Sequence, residues 1–164
     1  MRSWCLTGRR SSGSTEGDVV LSASIACIGE QEAGLSKNKL IAIVDDDEGY
    51  RTALRSLLMS LGFRVGSFES ASDFLSSTNI QNTACLIADV HMPGMTGVAL
   101  HGHLLTSGYA IPTILITAYP DADIRTRALT AGAICYLSKT STEDVLLGCI
   151  ASALRQSGQA EGGL

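Results

Sequence analysis

Charge is scarce in this 164-residue chain: Asp, Glu, Lys and Arg make up 17% of it against 45% apolar residues, and the formal net charge is only -4. It has no basic stripe, so electrostatics give no reason to expect direct DNA binding. It has no CxxC pair either. Its five cysteines (Cys5, Cys27, Cys85, Cys135 and Cys149) are odd in number, and Cys85 and Cys135 sit inside apolar runs. They read as reduced core thiols in a cytoplasmic protein. Long hydrophobic runs are missing too. The apolar stretch from Val19 to Ile28 follows Asp18 and is broken by serines, too short to span a bilayer and a poor signal-peptide core. No membrane association is expected, and no internal repeat is evident.

What remains is a chain of one-domain length whose character changes at residue 39. Residues 1–38 mix Gly, Ser, Thr and Arg without a sustained period and read as a disordered or weakly ordered extension. From Leu40 onward, apolar runs of strand length alternate with helical patterns, which indicates repeated βα units and a parallel sheet. Strands are expected at Leu40 to Val44, Phe63 to Phe68, Ala84 to Ala88, Thr113 to Thr117 and Ile134 to Leu137.

One-face spacing marks the helices between them. The first carries Ala53, Leu54, Leu57, Leu58 and Leu61 and stops at Gly62. The second follows Ser70 with Phe74 and Leu75, and the third follows Pro93 and Gly94 with Leu100 and Leu104. The fourth starts near Asp121, carries Ile124 and Ala128, and ends at Gly132. Val145, Leu146, Cys149, Ile150, Ala153 and Leu154 form the stripe of the last. The expected product is a doubly wound five-stranded (βα)5 domain over residues 39–156, strand order 2-1-3-4-5, followed by a flexible tail over 157–164.

Four of the strands end on polar residues: Asp45 and Asp46, Asp89, Thr117, and Lys139. The carboxyl ends of neighbouring parallel strands share one rim, where ligands of open α/β sheets bind. Crowded carboxylates there repel one another and call for a cation, and a hard, oxygen-preferring ion such as Mg²⁺ or Mn²⁺ suits them. Acids after the first strand could equally be a solvated helix N-terminus. Asp89 is harder to account for in that way. It ends CLIAD before a loop turned by Pro93 and Gly94, as an exposed carboxylate nucleophile for phosphorus would. Thr117 offers a hydroxyl and Lys139 a mobile charge for phosphoryl oxygens.

IVDDDE, DVHMPGMTG, ITA and YLSK, in this order, resemble the receiver domain of two-component response regulators, a CheY-like fold. SFESASDFL and RALTAGA look like its FixJ-type subgroup. The resemblance implies that Asp89 takes a phosphoryl group from a sensor histidine kinase. It further implies that Asp46 and Asp89 bind Mg²⁺ directly, with Asp45 acting through water and the His91 backbone carbonyl completing the set. Thr117 and Lys139 would hold the phosphoryl oxygens, and Thr117 with Tyr136 would form the switch pair. The fourth helix, fifth strand and fifth helix would be the readout surface. His91 and Tyr119 would flank the attacking water.

Most members have proline after the lysine, often with a cis bond. Here Thr140 follows Lys139, where cis would be costly. His101 and His103, two apart on a helix, cannot readily chelate one ion and are expected to be solvated. With no second domain after the fifth helix, the expectation is a stand-alone phosphoacceptor. It would catalyse only its own phosphorylation and dephosphorylation, act on a downstream protein target, and have phosphorylation-driven homodimerisation open to it. Two other functions share the rim. A flavodoxin-like binder would need a Gly-rich or Ser/Thr-rich phosphate loop where DDD stands. An aspartate-nucleophile phosphatase would need an acid at position 91.

Overall fold

The computed structural model describes residues 39–160. The expected extension over 1–38 and the last four residues of the expected tail lie outside the described residues. Five strands, β1 (Leu40–Val44), β2 (Arg64–Phe68), β3 (Thr83–Asp89), β4 (Thr113–Thr117) and β5 (Cys135–Ser138), alternate with five helices. The helices are α1 (Glu48–Ser60), α2 (Ala71–Ser76), α3 (Gly97–Thr106), α4 (Ala122–Thr130) and α5 (Glu143–Ala160). All strand pairs are parallel, in the order β2-β1-β3-β4-β5.

Burial explains which strands sit centrally. LIAIV, TACLIAD and TILIT are buried at every position, as strands covered on both faces must be, whereas β2 and β5 leave residues partly exposed at the edges. Leu54 and Leu58 of α1 and Leu146, Ile150 and Leu154 of α5 cover one face, packing on Ile41, Ile43, Ile87 and Ile114. Phe74, Leu100, Leu104 and Ala128 from α2, α3 and α4 cover the other, against Val44, Leu86 and Leu115.

Local chemistry fixes the helix starts. Asp47, Ser70, Thr96 and Asp121 each accept a first-turn amide hydrogen through a side-chain oxygen. Gly62 and Gly132 take positive φ just after α1 and α4, a conformation that costs other residues a steric penalty.

Several expectations need correction. Ala53, Leu61 and Val145, assigned to buried stripes, are exposed. The tail begins later than residue 157, because α5 runs on to Ala160. The β2, β3 and β5 edges move by one residue, which puts Ser138 rather than Leu137 at the end of β5. His101 is buried, not solvated: its Nε2 lies 3.3 Å from the Ala131 carbonyl oxygen, while His103 is exposed. Cys135 and Cys149 are joined in a disulfide rather than being separate reduced thiols.

Candidate functional site

Parallel pairing determines what meets at the carboxyl rim. Val44 stands beside Ala88 across β1 and β3, so Asp45 and Asp89, one residue further on, emerge side by side. Both are buried, and Asp46 beside them is exposed. One carboxylate oxygen from each of the three acids lies within 4.8 Å of the others. Asp47, the third aspartate of the run, is used differently: it accepts the Tyr50 amide hydrogen and caps α1. The solvated-terminus alternative thus describes Asp47 and not Asp45.

Lys139 follows directly on β5 and reaches across the rim. Its ammonium donates to Asp45 Oδ1 and Asp89 Oδ2, each at 3.1 Å, and stands 2.8 Å from Asp45 Oδ2. That last approach is a charge contact without hydrogen-bond geometry, so buried Asp45 Oδ2 has no donor of its own. Every peptide bond among the described residues is trans, the one between Lys139 and Thr140 included. The ammonium also lies 4.7 Å from the Tyr50 ring centroid, a cation–π contact.

The ionisation of these groups follows from burial and charge. Burial pushes the Asp45 carboxyl above its ordinary 3.8, and the Asp89 charge adds to this, against opposing hydrogen bonds from Lys139 and the Asp47 amide. For Lys139, burial pulls downward, but the bonds and charges of Asp45 and Asp89 together hold the ammonium above its usual 10.5. The site therefore keeps its lysine charged and resists the ionisation of Asp45.

Thr117 ends β4, one residue past the Asp89–Ile116 register pair, and is fully buried. Its hydroxyl donates to the Tyr119 carbonyl at 3.2 Å, accepts the Tyr119 amide hydrogen at 3.1 Å, and lies 3.1 Å from His91 Nδ1. His91 meets the Tyr119 ring edge-on, and its amide donates to Asp89 Oδ1 at 3.1 Å. Tyr136 points inward, 9% exposed, and its hydroxyl accepts the Asp121 amide hydrogen at the start of α4.

Two site residues escaped the sequence pattern. A Cβ on Gly97 would stand 2.3 Å from the Asp89 carbonyl oxygen, so only glycine lets α3 approach the backbone of the candidate acceptor so closely. Tyr50 supports Lys139 from the first turn of α1. Neither spacing nor residue type advertises these contacts, although Gly97 does lie in the quoted DVHMPGMTG segment.

Together these features define an open α/β protein with a partly buried acid–lysine cluster at its carboxyl rim. A family model for the response regulator receiver domain matches residues 41–151, and the chain belongs to that family. It is 40% identical over 123 residues to the response regulator protein TmoT of Ectopseudomonas mendocina, covering 75% of this chain and 56% of that protein. It is 33% identical over 117 residues to the transcriptional regulatory protein FixJ of Bradyrhizobium diazoefficiens, covering 71% of this chain and 57% of that one. Among solved structures, that of the response regulator StyR is 38% identical with TM-score 0.71, over 76% of this chain and 63% of that one. FixJ-N is 33% identical with TM-score 0.66, over 71% and 94%. The chain spans about half the length of the curated relatives it matches. Among the described residues, no helix is long and apolar enough to cross a membrane.

Proposed function

We propose that this receiver domain accepts a phosphoryl group on Asp89 from the phosphohistidine of a sensor histidine kinase, in the cytoplasm. A carboxylate oxygen of Asp89 attacks phosphorus, the P–N bond breaks, and its electron pair returns to the imidazole, leaving an acyl phosphate. Lys139 already sits on Asp89 Oδ2 and would move only slightly to neutralise the incoming oxygens. Thr117 would exchange its present loop partners for a phosphoryl oxygen. Tyr136, tied to the start of α4, carries the change to the α4, β5 and α5 surface.

The rim fits a hard divalent cation. Its donors are all oxygen, three carboxylates converge within 4.8 Å, and Asp45 Oδ2 is buried without a hydrogen-bond donor. Asp46 and Asp89 would hold Mg²⁺ directly, Asp45 through water, with the His91 carbonyl completing the protein ligands. Mn²⁺ would serve in its place. The ion supplies positive charge to the phosphoryl oxygens.

Output is proposed to be a protein contact, with homodimerisation on phosphorylation as one form of it. The protein is a phosphoacceptor rather than an enzyme acting on external substrates, since His91 stands where an aspartate phosphatase needs its second acid. Acidic Asp45 to Asp47 occupy the loop where a flavin binder would cradle phosphate.

The observation that carries this assignment is the Lys139 ammonium bridging Asp45 and Asp89 beside Asp46. Acetyl phosphate with Mg²⁺ should add one phosphoryl group, detected by intact mass, and Asp89→Asn should take up none. An unchanged wild-type mass would refute the proposal.

A further inference from the structure

The sequence offers Cys135 no resolving partner, but the fold does. Cys135 is the first residue of β5 and is partly exposed, whereas Cys149 lies two turns into α5 and is 9% exposed. The β5–α5 connection brings these residues, 14 apart in sequence, to a Cα–Cα separation of 6.2 Å, inside the range a disulfide needs. Cys85, the other cysteine among the described residues, is fully buried in β3, and its thiol is pushed up to about 12 by burial, which makes it inert.

The position of the pair gives it a consequence. Cys135 directly precedes Tyr136, whose hydroxyl accepts from the amide of Asp121, the N-cap of α4, and the segment the bond closes contains Lys139. A bond here joins two elements of the proposed output surface and encloses the lysine of the proposed phosphorylation site. In a reducing compartment a disulfide is transient or redox-sensing rather than permanent.

We propose that Cys135 and Cys149 form a reversible thiol–disulfide modification site that fixes β5 to α5 in the arrangement described here, making the receiver responsive to peroxide-class oxidants. The Cys135 thiolate, the more accessible of the two, attacks a peroxide oxygen. The O–O bond breaks, and sulfenic acid and hydroxide form. The Cys149 thiol then displaces the sulfenic oxygen as water, closing the disulfide. The hydroxide takes up the proton lost by the Cys135 thiol, so over both steps two thiols are oxidised and one hydrogen peroxide is reduced to two waters. A dithiol reductant reverses the change by exchange through a mixed disulfide.

The bond joins β5 to α5 in the arrangement described here. Phosphorylation that shifts β5 against α5 would work against the crosslink, and by linkage the crosslink works equally against phosphorylation. This coupling, though not the bond itself, rests on the assignment of Asp89 as acceptor.

The test uses the 164-residue chain carrying Cys5→Ser and Cys27→Ser, so that only the three described cysteines remain. Hydrogen peroxide treatment followed by non-reducing peptide mapping should recover a Cys135–Cys149 crosslinked peptide. Dithiothreitol, Cys135→Ser or Cys149→Ser should abolish it. The oxidised protein should reach an Asp89 phosphorylation level from acetyl phosphate about fivefold below the reduced protein, at the lower end of usual site-to-site coupling. Both serine variants should behave like the reduced protein with or without peroxide. Failure to recover the crosslink, or equal phosphorylation in the two redox forms, overturns the inference and leaves Asp89 as acceptor. No phosphorylation in either form overturns the acceptor assignment and with it the coupling, a result distinct from failure to find the crosslink.

Discussion

Asp45 and Lys139 show how one residue's environment decides its chemistry. Asp45 is fully buried and its carboxyl is raised above 3.8, with burial as the largest cause. A carboxyl raised on folding adds stability that is present below 3.8 and lost as pH rises through the folded value, because the native state is then the better proton binder. In metal-free buffer, urea midpoints should therefore fall as pH rises through that window. Asp45→Asn should flatten this dependence and stabilise the protein at neutral pH. Added Mg²⁺ should stabilise the wild type but have little effect on the variant. Lys139→Ala should do the reverse. By leaving two buried carboxylates without their counter-charge, it should cost about 3 kcal/mol in metal-free buffer, partly restored by Mg²⁺, as read from the same urea titrations.

Among the helices, two glycines of α3 give opposite expectations. Gly97 presses the helix start against Asp89, where an added Cβ meets backbone atoms at 2.3 and 2.9 Å that cannot swing aside. Gly97→Ala should lower stability by about 2 kcal/mol and slow phosphorylation by acetyl phosphate, because α3 must lift away from the acceptor strand. Gly102, five residues on, has nothing within 4 Å of its would-be Cβ. Gly102→Ala should stabilise by about 0.5–1 kcal/mol with unchanged phosphorylation. Thermal melts and intact-mass time courses of the two variants separate these effects. Helix boundaries were largely legible in the sequence because caps and stops are local. Asp121 and Gly132 bracket α4 within a residue or two of the expected limits. The stripes were legible less completely. Leu61 and Val145 have the right spacing but sit at helix ends, where the sheet no longer covers them.

Over the whole domain, stability rests on two apolar layers pressed on one sheet, and the Cys135–Cys149 bond adds a covalent tie on the α1–α5 side. Closing a loop of this length restricts the unfolded chain by about 3 kcal/mol. The oxidised wild type should therefore melt well above its dithiol-reduced form, and Cys149→Ser should show no such difference; calorimetry with and without reductant reads this directly. On the opposite side, His101 ties α3 to the turn after α4 through the Ala131 carbonyl. Its apolar neighbours along α3, Leu100 and Leu104, gave no sign that a histidine between them would be buried as well.

The sequence alone determined the βα alternation, the strand order expected from family resemblance, and the four polar strand ends. These are properties of short segments: where an apolar run stops and which residue stops it depend only on neighbours along the chain. Tertiary structure decided which polar ends touch. Parallel register set Asp45 beside Asp89, and the β5 edge delivered Lys139 between them while Asp47 was spent on a helix cap. Likewise, Gly97 at the acceptor backbone, Tyr50 under the ammonium, and Cys149 against Cys135 are contacts between residues distant in sequence. Their partners are chosen by the packing of whole elements, so no local pattern of residues encodes them.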